Sequence, residues 1–363
     1  MVTDTESAKR DALAERLFGA ALGAYELMTV HLGDRLGYYR ALEERGAATP
    51  GELAAATGTH ERYAREWLEQ QAVAGFLDVE DASAAPEDRR FRLPSGHAEV
   101  LNDRDSLAHV TPMARFGVSF ASVLPQIEEA FRSGGGVPWE EFGELGLHAQ
   151  GDANRPLFVN LLGSEWLPAI PDVHERLQAD PPARVADVAF GAGWSSIAIA
   201  RAYPRVTVDG FELDEASVAL ATRNAEEAGV ADRVTFHARD AGDPDLAGSY
   251  DLVTVFEALH DMSRPVDVLR ALRGLVSEGG TVLVMDERVA DAFTAPGDEV
   301  ERLMYTYSIL CCLPVGLSET PSAGTGTVMR TDTLRRYASE AGFAGVEVLP
   351  IEHEIFRFYR LRQ

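Results

Sequence analysis

Apolar residues recur at helical spacing through residues 11–45. Leu13, Leu17, Ala20, Ala21, Ala24, Leu27, Met28 and His31 share one face, which predicts one or two helices. Gly19, Gly23, Gly33 and Gly37 interrupt that face and would allow close helix packing. Thr49-Pro50-Gly51-Glu52 then reads as a capping box with proline at the first helical position, and that helix stops near Gly58. A second helix covers 61–74 and ends at Gly75. Two short strand-like runs follow, 76–79 and 91–93, joined by the polar stretch 80–90. Helix, turn, helix and hairpin in this order form the pattern of a winged helix.

Residues 106–180 are largely helical in pattern, with a loop signal at Ser133-Gly134-Gly135-Gly136-Val137-Pro138. Asp180-Pro181-Pro182-Ala183 reads as a boundary. From Arg184 the period alternates. Strands are predicted at 184–189, 206–211, 234–237, 250–256 and 281–285, and helices at 195–203, 215–228 and 265–276. Strand and helix in turn specify an α/β domain with a parallel, doubly wound sheet. After the fifth of these strands an insertion of about 40 residues carries a helix near 298–311. A helix at 331–341 and strand candidates at 346–349 and 355–361 complete the pattern. The domain reading is therefore 1–110 winged-helix-like, 111–182 a helical linker region, and 183–363 the α/β domain.

Charge narrows the function. The chain has 363 residues and a net charge of −25. Phosphate would be repelled, which argues against nucleic acid or an anionic membrane as the main partner. No apolar run is long enough to span a bilayer, and the first residues lack the apolar core of a signal peptide, so the expected location is the cytoplasm. Lys9 is the only lysine. It lies far from any glycine loop, which removes P-loop ATPases and pyridoxal enzymes. Cys311 and Cys312 are adjacent and stand outside any Cys/His cluster, so neither a disulfide framework nor a structural zinc site is expected.

The candidate chemistry starts where the first strand of the α/β domain opens into Asp187-Val188-Ala189-Phe190-Gly191-Ala192-Gly193-Trp194. Glycines between a strand and a helix let backbone approach a ligand. Glu212 ends the next strand, where a carboxylate can accept both hydroxyl protons of a ribose. A nicotinamide fingerprint would need a third glycine, but Ser196 stands there and Trp194 crowds the helix start. The acid ahead of Ala189, Gly191 and Gly193, the pair Glu212-Leu213, and the pair Asp240-Ala241 occur in the order and spacing of three motifs. In this the chain resembles the class I S-adenosylmethionine-dependent methyltransferases. Alanine at 189, where glycine is usual, calls for a negative φ, and Phe190 would face the methionine end of the cofactor.

The resemblance extends along the chain. A winged-helix-like domain joined by helices to a Rossmann-like class I domain is similar to small-molecule O-methyltransferases and to a related bacterial methyltransferase group. It implies S-adenosylmethionine as cofactor, with Asp187, Ala189, Phe190, Gly191, Gly193, Glu212, Leu213, Asp240, Ala241 and Phe256 around it. Asp240 would take the adenine amino group. It also implies a homodimer formed through the N-terminal domain and a small-molecule acceptor. After the fourth strand, His260-Asp261 matches the pair whose histidine removes the proton from an acceptor hydroxyl, and an unperturbed imidazole suits that step near neutrality. Glu257 would contact the sulfonium or the acceptor. Asp286 and Glu287 end the fifth strand without a second ligand cluster, so no metal is expected. Trp194, Trp166, Met304, Tyr305, Tyr307 and the two cysteines are candidates for pocket walls or plain core. Pro321–Thr327 has the glycine content of a lid. The winged helix also admits a transcriptional regulator or a scaffold without catalysis. Against DNA binding, residues 1–110 carry 20 acidic and 12 basic side chains.

Overall fold

The computed structural model describes residues 4–243, 246 and 248–363. They form two compact units, one ending at Ser119 and one beginning at Phe120. The first unit opens with a 32-residue helix, Asp4–Arg35, followed by helices Tyr38–Arg45, Pro50–Thr57 and Glu61–Val73. The capping box forms as the spacing predicts. Glu52 N–H donates to Thr49 Oγ1 at 3.3 Å, and Thr49 N–H donates back to the Glu52 carboxylate at 2.9 Å. Strands β1 (Asp78–Val79) and β2 (Phe91–Arg92) pair antiparallel as the wing. The core gathers Tyr38, Tyr39, Leu42, Leu53, Trp67, Leu68 and Phe91. Both tyrosine rings stand edge-on to Trp67, and Tyr39 donates to Gln71 Oε1 at 2.5 Å, which satisfies a buried amide.

Of the four glycines on the first helices, Gly33 serves close packing. A Cβ there would lie 2.3 Å from Trp67 Cζ2 and 2.7 Å from Tyr39 Cε2. Gly37 turns the chain at φ 72°, while Gly19 and Gly23 would bring a Cβ against nothing within 4 Å. The same helix leaves Leu13, Leu17, Phe18, Leu22 and Tyr25 exposed. Lys9 sits on the same helix, ion-paired with Glu6 at 2.8 Å.

In the second unit, strands β3 (Arg184–Val188), β4 (Thr207–Glu212), β5 (Val234–Ala238), β6 (Tyr250–Phe256), β7 (Val276–Glu287), β8 (Gly345–Val348) and β9 (Phe356–Arg362) make one sheet. The order is β5-β4-β3-β6-β7-β9-β8. The strand–helix alternation predicts parallel strands, which β3 to β7 are, while β9, from one of the two later strand candidates, is not. It runs antiparallel between β7 and β8, because the short link from β8 returns directly instead of crossing over through a helix. Tyr250–Phe256 is buried at every position except Asp251, as expected for a central strand covered on both faces.

Two apolar cores lie on the two faces. One joins Val185, Leu252, Phe256 and Phe358 to Leu147, Phe158, Leu162 and Trp166. These last four come from the segment read as a linker, so helices Gly143–Leu157 and Pro171–Gln178 and the wide helical turn Phe158–Trp166 belong to the body of the second unit. The other core joins Val188, Val253 and Val284 to Leu269, Leu334 and Tyr337.

The glycine contrast is measurable. Gly33→Ala forces a methyl into two packed rings and should cost about 1–3 kcal/mol. Gly23→Ala adds helix propensity without a clash and should gain about 0.5–1 kcal/mol. Urea unfolding of the two variants should move in opposite directions.

Candidate active site

The strand order reverses between β3 and β6, and in such sheets the crevice at the carboxyl edge is where ligands bind. Every residue singled out in the sequence as a catalytic or cofactor candidate lies along that edge. The loop 189–193 follows β3, Glu212 ends β4, Asp240 follows β5, Phe256 ends β6 ahead of Glu257 and His260, and Asp286 and Glu287 end β7.

Asp187 holds the loop from below. Its carboxylate accepts from Ser195 Oγ at 2.5 Å, Ser196 Oγ at 2.7 Å and Thr254 Oγ1 at 2.7 Å. The side chain is buried, and burial pushes its pKa up against the pull of the three hydroxyls. Its contribution is therefore to position the loop. Ala189 has φ 55°, the opposite of the negative φ that alanine calls for, so the position keeps a left-handed backbone without glycine. Its N–H donates to Phe211 O at 2.8 Å, which extends the β3–β4 ladder and fixes that conformation. Gly191 and Gly193 have φ 52° and 80°, and a Cβ on Gly193 would lie 2.8 Å from Ala221 Cβ and from the Phe236 ring. Phe190 does not face the cofactor side. Its ring is buried against Phe236 at 4.4 Å, in the space that Gly210 leaves by having no side chain. Both doubts that the sequence raises about this loop thus have structural answers: strain at Ala189, and an inward turn at Phe190.

Glu212 is prepared for a ligand. Its Oε1 accepts from Leu213 N–H at 2.8 Å and Asp214 N–H at 3.3 Å, and its Oε2 from Gly191 N–H at 3.2 Å. A carboxylate offers about four acceptor positions, so one remains on Oε2. Desolvation raises its pKa, against the three N–H donors. Leu213 is exposed at the rim and Ala241 half-buried. Asp240 accepts from Gly242 N–H at 2.8 Å and meets Arg264 at 3.3 Å, both at a partly exposed carboxyl. Phe256 is core, tilted against Phe158 at 5.7 Å.

His260 stands at the centre of a buried polar cluster. Its Nδ1 lies 3.0 Å from Asp286 Oδ1 and 3.0 Å from Glu287 Oε2. Cys312 also approaches the imidazole, with the donor atoms of His260, Asp261 and Cys312 within 4.8 Å of one another. Burial alone would lower the imidazole pKa, but Glu287, Asp286 and Cys312 outweigh it and hold His260 well above its ordinary value. Glu287 is kept ionised opposite that cation, while desolvation pushes Asp286 up. Glu257 follows β6 with φ 53°, tied by its N–H to Met285 O at 2.8 Å. Desolvation and then Glu287 raise its carboxyl well above the usual range. Asp261 is pushed up to about 8, mainly by burial.

The sequence did not foresee this gathering, because Asp286, Glu287 and Cys312 are remote from His260 along the chain. Two trios of donor atoms, His260–Asp286–Glu287 and His260–Asp261–Cys312, each fit within 4.8 Å, where none was expected. The one available signal was the position of Asp286 and Glu287 on the same strand edge. Other candidates fall elsewhere. Trp166 is core among Phe158, Phe356 and Phe358, and Met304 is buried. Trp194 is buried beneath the Arg155 guanidinium at 4.2 Å. The 321–327 loop is pinned: Ala323 N–H donates to Ser263 O at 2.8 Å, and Thr325 Oγ1 meets Tyr337 Oη at 2.8 Å.

Comparison with known proteins shows what these features are similar to. Residues 179–322 match the family model described as a methyltransferase domain, and residues 23–103 match the Rv2258c-like winged HTH domain. A ubiquinone biosynthesis O-methyltransferase from Ralstonia nicotianae is 33% identical over 150 residues, covering 39% of this chain and 58% of that protein. The chain thus spans little more than half the length of this curated relative. A putative O-methyltransferase from Nostoc punctiforme aligns over 96% of this chain and 98% of its own, at TM-score 0.67 and 22% identity. Human N-acetylserotonin methyltransferase, solved in complex with S-adenosylmethionine, aligns over 96% and 97% at TM-score 0.68 and 19% identity. The fold is therefore that of the class I methyltransferases with an N-terminal winged helix. No helix among the described residues is long and apolar enough to cross a membrane.

Two outcomes follow from the backbone and the charges. Ala→Gly normally costs about 0.4–1 kcal/mol through the unfolded chain, but relief of the left-handed strain should offset this at Ala189→Gly. The thermal midpoint of that variant should hold or rise. A carboxyl raised in the folded state stabilises fully below its unfolded pKa of 3.8 and loses that stabilisation as pH rises through about 8, as for Asp261. Cys312, lowered to about 5 chiefly by its hydrogen bond with Cys311, acts in the opposite sense. In urea titrations, Asp261→Asn should therefore shift the change in midpoint between pH 5 and pH 8 toward greater stability at the higher pH.

Proposed function

We propose that this chain, a methyltransferase domain joined to a winged helix-turn-helix domain, moves the methyl group of S-adenosylmethionine to a hydroxyl of a small-molecule acceptor. The observation that carries the reading is the direct link between two motifs, the Gly191 N–H donated to the Glu212 carboxylate. It builds one cradle from the β3 loop and the end of β4. When bound, S-adenosylmethionine supplies a methyl group already activated on a sulfonium. Gly191 and Gly193 would let the backbone approach it, and Glu212 would accept from the ribose through the position left on Oε2. Asp240 would accept from the adenine amino group. Ala189, Leu213, Ala241 and Phe256 would shape the walls, with Asp187 and Phe190 supporting the loop from behind.

His260 is the proposed base. Asp286 accepts from Nδ1 and Glu287 lies 3.0 Å from the same nitrogen, which fixes the ring, and Nε2, with Cys312 nearby, would take the proton of the acceptor hydroxyl. The carboxylates keep the imidazole protonated in the empty pocket. Positive charge entering with the ligands lowers its pKa, so the free base forms when the pocket is filled. Positioning of acceptor against methyl supplies most of the remaining rate. The free thiols of Cys311 and Cys312 support a cytoplasmic setting. A DNA-reading role is not favoured: in the helix Glu61–Val73, Arg62 is tied to Glu66 at 2.5 Å. The exposed row Leu13, Leu17, Phe18, Leu22 and Tyr25 is proposed to bury against a second copy.

Calorimetric titration with S-adenosylmethionine and S-adenosylhomocysteine should show micromolar binding of both, and none of NADH. Glu212→Ala should weaken each about 10–100-fold, as loss of a charged hydrogen bond predicts. Unchanged affinity would sink the ribose role. His260→Ala should lower kcat about 10²–10⁴-fold with cofactor affinity kept. The double variant Leu17→Asp, Phe18→Asp should sediment as a monomer where the native chain sediments as a dimer.

A further inference from the structure

The buried cluster around His260 is dense in carboxyl groups. Four carboxyl groups, Glu257, Asp261, Asp286 and Glu287, surround it, and His260 is the cation that acts on all four. Carboxyls out of water need a counter-charge or a proton. S-adenosylmethionine bears two positive groups and one carboxylate. Burial favours a proton on Glu257, Asp261 and Asp286, and a cation entering beside one of them can take that proton's place.

Glu257 is the clearest case. Its Oε1 is buried and meets no hydrogen-bond donor, while the carboxyl also takes a hydrogen bond from Asn154. Its backbone is held in the left-handed region, a strain that surrounding structure must maintain. Asp286 Oδ2 is likewise buried without a donor. Aromatic surface lies beside Glu257. Tyr307 is close enough for Glu257 to act on its hydroxyl, and its ring stands edge-on to Phe120 at 5.7 Å. A buried carboxyl with an unpartnered oxygen beside an aromatic ring is, once it gives up its proton, the chemistry that recognises an ammonium group.

We infer that the acceptor is a small hydroxyl-bearing amine, bound as its ammonium form with Glu257 Oε1 taking the charged N–H. This rests on the reading of the domain as an S-adenosylmethionine-dependent methyltransferase and names the acceptor class for it. The hydroxyl lies toward His260 and the ammonium toward Glu257. The positive charge of the acceptor acts on the imidazolium in the same direction as the cofactor, so acceptor binding itself favours the free base. An acceptor bearing a carboxylate meets four acidic groups and is rejected.

Three phenols of similar size and different charge test this: tyramine (cation), 4-ethylphenol (neutral) and 4-hydroxyphenylacetate (anion). Their affinities are measured by calorimetry on the full chain, with and without S-adenosylhomocysteine, whose sulfur is uncharged. Tyramine should bind about 10–100-fold more tightly than 4-ethylphenol, and 4-hydroxyphenylacetate most weakly. In Glu257→Gln, tyramine should fall to within about threefold of 4-ethylphenol, with the affinity for S-adenosylhomocysteine retained as the check that the variant is folded. Equal or tighter binding of the neutral or anionic phenol overturns the inference, as does binding of none at millimolar concentration. A tyramine preference that survives in Glu257→Gln overturns the assignment to Glu257. Failure of S-adenosylhomocysteine to bind the native chain sinks the cofactor reading instead, and the series without it still decides the charge preference.

Discussion

A single buried carboxyl holds the α/β half of this protein in register. Asp187 ends its strand with three hydroxyls around it, two from the helix that follows the loop and one from the neighbouring strand β6. A carboxyl buried this deeply is tolerated because those donors satisfy it. In return it fixes where the helix Trp194–Ala202 begins relative to β3 and β6. The loop between has no freedom left. It passes through the left-handed region at Ala189, Gly191 and Gly193 and presents the Gly191 N–H to Glu212. The strand order then does the rest, since β3 and β6 part their connections at the same edge and leave the crevice open above the loop.

Much of this was legible in the sequence. The alternation of strand and helix gave the α/β class, and the continuous apolar run 250–256 marked a central strand. The Thr49–Glu52 spacing located a helix start to the residue. Asp187, Glu212 and Asp240 fall at or just past the carboxyl ends of three parallel strands, which placed the cofactor candidates on one edge. What escaped was what depends on contacts between distant segments. The inward turn of Phe190 requires Gly210 to lack a side chain and Phe236 to receive the ring, and neither is near it in sequence. The positive φ of Ala189 is imposed by the Phe211 carbonyl against the local preference of alanine. The antiparallel β9 depends on which neighbour a short return can reach.

The polar cluster around His260 shows the same limit in electrostatic form. A histidine before a helix has an ordinary pKa on paper. Here Asp286 and Glu287 arrive from the next strand and Cys312 from the insertion, and the balance of burial against negative charge reverses the expected shift. The insertion, which on sequence grounds offered only apolar spacing, therefore takes part in setting the proton affinity of the pocket. The loop 321–327 tells the opposite story: glycine content invites mobility, but its backbone and hydroxyls are spent on Ser263, Gly316 and Tyr337.

The near-total replacement of lysine by arginine has a chemical consequence. Arginine keeps its charge and forked donors in ion pairs such as Arg330–Glu301 and Arg176–Asp251, but it does not react with acylating reagents near neutral pH. Lys9 is the one side-chain amine in the chain, and it projects from the exposed start of a 32-residue helix that is about 48 Å long. Among the side chains, an amine-directed dye thus has one target, near the end of a long helix. The native protein carries its own attachment point for a distance probe, without any cysteine having to be added or removed.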